Sequence, residues 1–114
     1  MNKLLILFIL TIYVLGIFSK PIKKGSGVAT FYTYYGFGQC GIKGDSNSMF
    51  VSLPGSLFNQ KLCGRSITIK GPLGTAKGII VDKKDGSTID LTRSLYTKIA
   101  NVNSGQVKVQ YAIN

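Results

Sequence analysis

Histidine and glutamate are absent from this 114-residue chain, and its only carboxylates are Asp45, Asp82, Asp85 and Asp90. Without histidine no Cys–His nucleophilic pair can exist. Two cysteines and no histidine also fall short of a structural or catalytic zinc site, so no metal is expected. No flavin or nicotinamide fingerprint occurs, and no cofactor is expected. No Asn-x-Ser/Thr sequon is present, which excludes ordinary N-glycosylation. Repeats and low-complexity linkers are missing as well.

What the chain does have begins with a short basic start, Met1-Asn2-Lys3, followed by an almost unbroken apolar run from Leu4 to Phe18. That run of about 15 residues fits a secretory h-region, whereas a membrane-spanning helix needs roughly 20. Gly16 and Ser19 supply small residues near its exit. Residues 1–19 are therefore expected to be a signal peptide. The mature chain would be secreted, with no stable membrane insertion after cleavage. About 95 residues remain for folding, enough for one domain near the small end of what a single core stabilises. Residues 20–26 are expected to form a flexible basic lead, and 27–114 the folded domain.

Lysine and arginine number 14 against 4 aspartates, a formal charge of +10. Cleavage after residue 19 removes only Lys3, leaving 13 against 4, or +9. Such a surface favours polyanions, acidic polysaccharides or anionic membranes, or else serves solubility. Nucleic acid is not an expected partner, because the chain is exported and its lysines are scattered rather than blocked into one run. Two cysteines in an exported chain predict a disulfide between Cys40 and Cys63. The loop it closes would contribute about 3 kcal/mol in the chain-entropy model.

Along the mature chain, Gly27–Tyr35 reads as an aromatic and β-branched strand. Gly36, Gly38 and Gly41 mark turns around Cys40. A short apolar run spans Met49–Leu53, and Pro54–Phe58 fits one helical turn begun by proline. Ser66–Lys70 alternates, with Ile67 and Ile69 on one face. Gly71–Gly74 is a turn, and Ala76–Asp82 ends in a buried-type run, Ile79-Ile80-Val81. Asp85-Gly86 is a hairpin signal. Thr92 is placed to cap a short helix carrying Leu95 and Ile99. Gln106–Ile113 alternates strictly. Short strands divided by glycine-rich turns predict a small barrel or sandwich.

Four segments in series carry a resemblance. They are Ala29-Thr30-Phe31-Tyr32 followed by Cys40-Gly41; Cys63-Gly64 leading into a strand; Ile80-Val81-Asp82 followed, after a turn, by Ile89-Asp90-Leu91-Thr92; and a final alternating strand after a short helix. In this order they resemble the barwin, expansin and rare-lipoprotein-A superfamily, and in particular its small single-domain secreted members. The resemblance implies a mainly β fold, a six-stranded double-psi β-barrel with one or two short helices and a groove across one face. It pairs Cys40 with Cys63 and places Thr30, Tyr32, Asp82 and Asp90 in the groove as ligand-binding residues. The chain departs from the pattern in three ways. The loop after Asp82 is short and has no cysteine, no second carbohydrate-binding domain is expected after Asn114, and the groove histidine of lytic relatives is missing.

Asp82 and Asp90 are the catalytic candidates if the protein is an enzyme, since an inverting glycosidase needs two carboxyls in different protonation states. The same residues have simpler uses. Asp85-Gly86 can be turn chemistry, Asp90 can cap the following helix, and Asp82 can pair with a lysine or with backbone N–H groups. Tyr32 and Tyr34 share one strand face and suit sugar stacking or core filling alike. The leading expectation is a monomeric, non-catalytic barrel that binds extracellular or cell-wall polysaccharide. Two alternatives stand beside it: a secreted inhibitor of papain-type proteases, and a weak glycoside hydrolase or lytic enzyme.

Overall fold

The structure is a computed structural model describing residues 20–114 except residue 46; the expected signal peptide lies outside the described residues. Six strands close into a barrel: β1 Lys23–Tyr32, β2 Phe50–Pro54, β3 Ser66–Gly71, β4 Gly74–Lys84, β5 Ile89–Thr92 and β6 Val107–Ile113. One helix, α1 (Arg93–Ile99), follows β5, and single 3-10 turns lie at Gln60–Leu62 and Val102–Ser104. Around the barrel the order is β1-β5-β2-β4-β3-β6, closing back on β1. The pairs β1/β5 and β2/β4 are parallel, and the other four are antiparallel. This mixed closed barrel is the mainly β, six-stranded double-psi architecture expected from the four motifs.

Alternation explains the core. Ile67 and Ile69 of β3, Val109 and Ile113 of β6, and Ile89 and Leu91 of β5 are buried and contribute to one continuous cluster. Burying each such side chain contributes about 1.5–3 kcal/mol. The helix adds Leu95, Tyr96 and Ile99, all fully buried. Gly78 permits its approach to β4, because a Cβ there would stand 2.6 Å from Leu95 Cδ2 and 3.0 Å from Val51 Cγ2. Phe31 packs on Tyr96 with ring centroids 5.0 Å apart, and the Arg93 guanidinium lies over the Phe31 ring.

Several local expectations change. The first strand starts at Lys23, not Gly27, since Lys23–Ser26 pair with Ile113–Gln110 of β6. Four of the seven residues of the expected flexible lead are thus in a paired strand. The same strand ends at Tyr32, and Tyr34 and Tyr35 belong to the loop that follows. Asp85-Gly86 does not make a hairpin: β4 and β5 do not pair, because β2 runs between them. The turn chemistry is used in a connection that crosses over β2. Thr92 does occupy the helix N-cap position, but its hydroxyl makes no cap bond. It donates instead to the Ser48 carbonyl and accepts from the Phe50 N–H at 3.0 Å. Pro54 does not open a helical turn but ends β2, and its carbonyl accepts from the N–H groups of Leu57 (2.9 Å) and Phe58 (3.0 Å), closing a turn after the strand.

Candidate functional site

The strand register assembles a polar row from distant parts of the chain. Thr30 of β1 pairs with Asp90 of β5, Asp90 with Ser52 of β2, and Ser52 with Asp82 of β4. Paired residues present their side chains to the same sheet face. Ile89 and Leu91 point into the core, so Asp90 between them points outward. Two residues beyond Thr30, Tyr32 joins the same outer face. A register irregularity between Val51 and Ser52 inserts Val81 into the ladder, which brings Asp82 rather than Val81 opposite Ser52.

Asp90 anchors this row. Its Oδ1 accepts from Thr30 Oγ1 at 2.6 Å, Lys84 Nζ at 2.8 Å and Thr88 Oγ1 at 3.0 Å. Lys84 also donates to Thr88 Oγ1 at 2.6 Å, and Lys84–Asp90 is the salt bridge among the described residues. All three bonds converge on Oδ1, leaving Oδ2 for another donor. Asp90 does not cap α1. Asp82 is held differently, by backbone: its Oδ1 accepts from the Gln39 N–H at 2.7 Å and the Lys83 N–H at 2.9 Å. Between the two carboxylates, Ser52 Oγ donates to the Tyr32 hydroxyl oxygen at 2.7 Å. The phenol of Tyr32 is pushed up to about 12, chiefly by burial, with the Ser52 bond acting against the shift and the Asp82, Tyr34 and Asp90 charges adding to it. It therefore stays protonated through the neutral range, and its own O–H remains a donor.

The loop after β1 forms the wall beside Asp82. Cys40 and Cys63 are bonded, with Cα atoms 5.4 Å apart, within the usual disulfide range. The Cys40 N–H donates to the Val81 carbonyl at 3.1 Å, and the Tyr34 hydroxyl donates to the Ile42 carbonyl. Burial, with a smaller push from Asp82, raises the Tyr34 phenol. Gly38 adopts φ +56° and passes so close that a Cβ would be 2.9 Å from both Asp82 Cγ and the Val81 carbonyl oxygen. Tied down in this way, the loop leaves Tyr35 83% and Phe37 57% exposed.

The four groove residues expected from the sequence, Thr30, Tyr32, Asp82 and Asp90, thus fall on one outer face. The ladder links Thr30, Asp90 and Asp82 through Ser52, and Tyr32 adjoins it by its bond to Ser52. Ser52, Lys84 and Thr88 were not legible beforehand. Small hydroxyls and lysines occur throughout the chain, and only the register singles these out. Among the described residues no cluster of three or more potential metal-ligating side chains forms. Every polar group here is an acceptor or donor fixed by its neighbours, an arrangement suited to binding hydroxyl-rich ligands.

No protein-family model and no curated protein matches the sequence. Solved structures do match. Apo expansin from Clavibacter michiganensis superposes with a TM-score of 0.72 at 20% identity over 81% of this chain, and a mutant of that expansin in complex with cellohexaose gives 0.71 at 20% over 81%. This chain spans 50% of each of those expansin chains, about half their length. The Streptomyces papain inhibitor superposes with a TM-score of 0.67 at 26% identity, covering 80% of this chain and 96% of that one. The chain shares the double-psi β-barrel fold of both.

Proposed function

We propose that the protein is a secreted, non-hydrolytic polysaccharide-binding barrel whose groove is the row Thr30–Asp90–Ser52–Asp82 with Tyr32. The observation that carries this reading is the way both carboxylates are held, each by donors on Oδ1 with Oδ2 left over. An ionised carboxylate oxygen so oriented accepts from sugar hydroxyls by charge-assisted bonds, and Tyr32 adds a neutral donor and a ring beside it. The expansin–cellohexaose complex supports a glucan-like ligand for this fold. The disulfide supports an oxidising, extracellular setting.

The test is retention of the mature protein on insoluble cellulose, chitin and peptidoglycan, with the supernatant assayed for released sugar. Retention without release is expected. Asp90→Asn, which keeps the shape and removes the charge, should weaken retention about 10-fold or more, as loss of a charged hydrogen bond does. Sugar release abolished by Asp90→Asn would instead establish a hydrolase using Asp82 and Asp90.

A second reading has its own support. The papain inhibitor neighbour is a single barrel matched over 96% of its length, and the disulfide-tied loop presents Tyr35 and Phe37 outward. Rigid loops of this kind lose little entropy on docking. Retention on none of the polymers, together with tight inhibition of papain that Phe37→Ala removes, would replace the first reading with this one.

A further inference from the structure

The flank opposite the aspartate row is built from β1, β6, β3 and the first half of β4, and it carries lysines without acids. Outward positions in register are Lys24–Ala112–Thr68–Lys77 in one row and Ser26–Gln110–Lys70–Thr75 in the next. Asp82 lies toward the other end of β4, Asp90 is on β5, and Asp45 and Asp85 are in loops, so no aspartate enters either row; Asn114, just past β6, donates from Nδ2 to Thr68 Oγ1 at 3.3 Å, and the Thr68 hydroxyl keeps its own proton to donate. Lys24 and Lys70 make no salt bridge; among the described residues that contact is confined to Lys84 and Asp90.

This flank also holds a wide-open, shallow depression of about 570 Å³, lined by Lys24, Ser26, Thr68, Lys70, Thr75 and Gln110, with Tyr111 beneath. Its shape has a simple cause. Ala112 projects only a methyl group between Lys24 and Thr68, so the floor is low where the neighbouring side chains are long. The two ammonium-bearing strands, β1 and β3, flank β6 and lie about 10 Å apart, two strand spacings. Between the charges stand hydroxyl and amide groups that donate and accept.

From this geometry we infer a second ligand site, separate from the aspartate row, that takes an acidic polysaccharide: Lys24 and Lys70 pair with carboxylate or sulfate groups while Ser26, Thr68, Thr75 and Gln110 bond the intervening hydroxyls. Two features favour a polysaccharide over other polyanions. The one aromatic of the lining, Tyr111, is buried with its ring under Gly25, so single-stranded bases find no exposed stacking platform. The outward rows set lysines among hydroxyl and amide groups with no large apolar side chain to enter a bilayer, which suits a hydroxyl-rich chain laid across the strands better than a lipid surface. The site does not depend on the aspartate row.

The experiment is calorimetric titration of the folded protein with polygalacturonate at low and high salt. Wild type should bind, and added salt should weaken the binding as condensed counterions compete. The double variant Lys24→Ala/Lys70→Ala should lose about 10-fold or more in affinity, the loss of roughly one charged hydrogen bond or more. A matched control, Lys61→Ala/Lys98→Ala, removes the same charge from exposed positions outside the cavity and should stay near wild type. Equal losses in both variants would overturn the site in favour of diffuse net charge. Binding to phosphatidylserine vesicles or single-stranded oligonucleotides with none to polygalacturonate would overturn the ligand class. Lys24→Ala/Lys70→Ala should keep wild-type retention on cellulose, so failure here and failure of the aspartate-row reading are told apart.

Discussion

Asp90 and Asp82 are both aspartates on one outer face of the barrel, yet their surroundings differ. Side chains from three positions hold Asp90, and two backbone amides hold Asp82. Motif matching identifies both residues but does not distinguish these environments, which depend on which strands become neighbours. Tyr32 yields a prediction at this scale. Its folded phenol is raised to about 12 from 10.0, so the folded state holds that proton more tightly than the unfolded chain does. The stabilisation is therefore complete below pH 10 and is lost as pH rises from about 10 through about 12. Burial raises the Tyr34 and Tyr96 phenols too, which adds to the fall. Urea unfolding at intervals across that window should show decreasing stability, with a shallower decrease in Tyr32→Phe. An unchanged slope in the variant would remove Tyr32 from the explanation.

Among the elements, strands with strict alternation were the most legible. β3 and β6 lie close to where their Ile and Val spacing placed them, because burial of one face enforces a period of two. Strand ends and partners were less so. Lys23–Ser26 have no strand pattern of their own, and they are extended because β6 offers them hydrogen bonds. Asp85-Gly86 has the local chemistry of a hairpin, and the barrel overrides it by placing β2 between β4 and β5. Helix α1 depends on the glycine opposite it. Gly78→Ala puts a methyl group against Leu95, Val51 and the Met49 carbonyl. It should destabilise the protein by about 1–3 kcal/mol through overpacking. Thermal melting followed by circular dichroism measures this, and a melting point equal to wild type would show that α1 shifts freely on the barrel.

For the whole molecule, the disulfide and the charge distribution matter most. Cys40–Cys63 spans 23 residues and fastens the β1–β2 loop, with Gly38 and Gln39, against Asp82. Cys40→Ser/Cys63→Ser should lose about 3 kcal/mol of stability. It should also weaken glycan retention where the protein remains folded, because the Gln39 amide no longer holds Asp82. Retention equal to wild type in the folded double variant would show that the loop keeps its place without the bond. Charge segregates on the same scale, with the Asp82–Asp90 row on one side of the barrel and unpaired lysines on the other.

From the sequence alone come the strand-rich class, the cysteine pair, the net positive charge and the candidate set Thr30, Tyr32, Asp82 and Asp90. These follow from composition, from alternation over short spans and from motifs in series, all of which are properties of neighbours along the chain. Tertiary structure decided the rest: Ser52 between the two aspartates, Lys84 and Thr88 on Asp90, the crossing of β4 to β5 over β2, and the lysine-bearing flank that no aspartate enters. Each of those joins residues from different strands of a closed barrel. Which strand lies beside which is settled by burial of the whole core, and no short stretch of sequence contains that information.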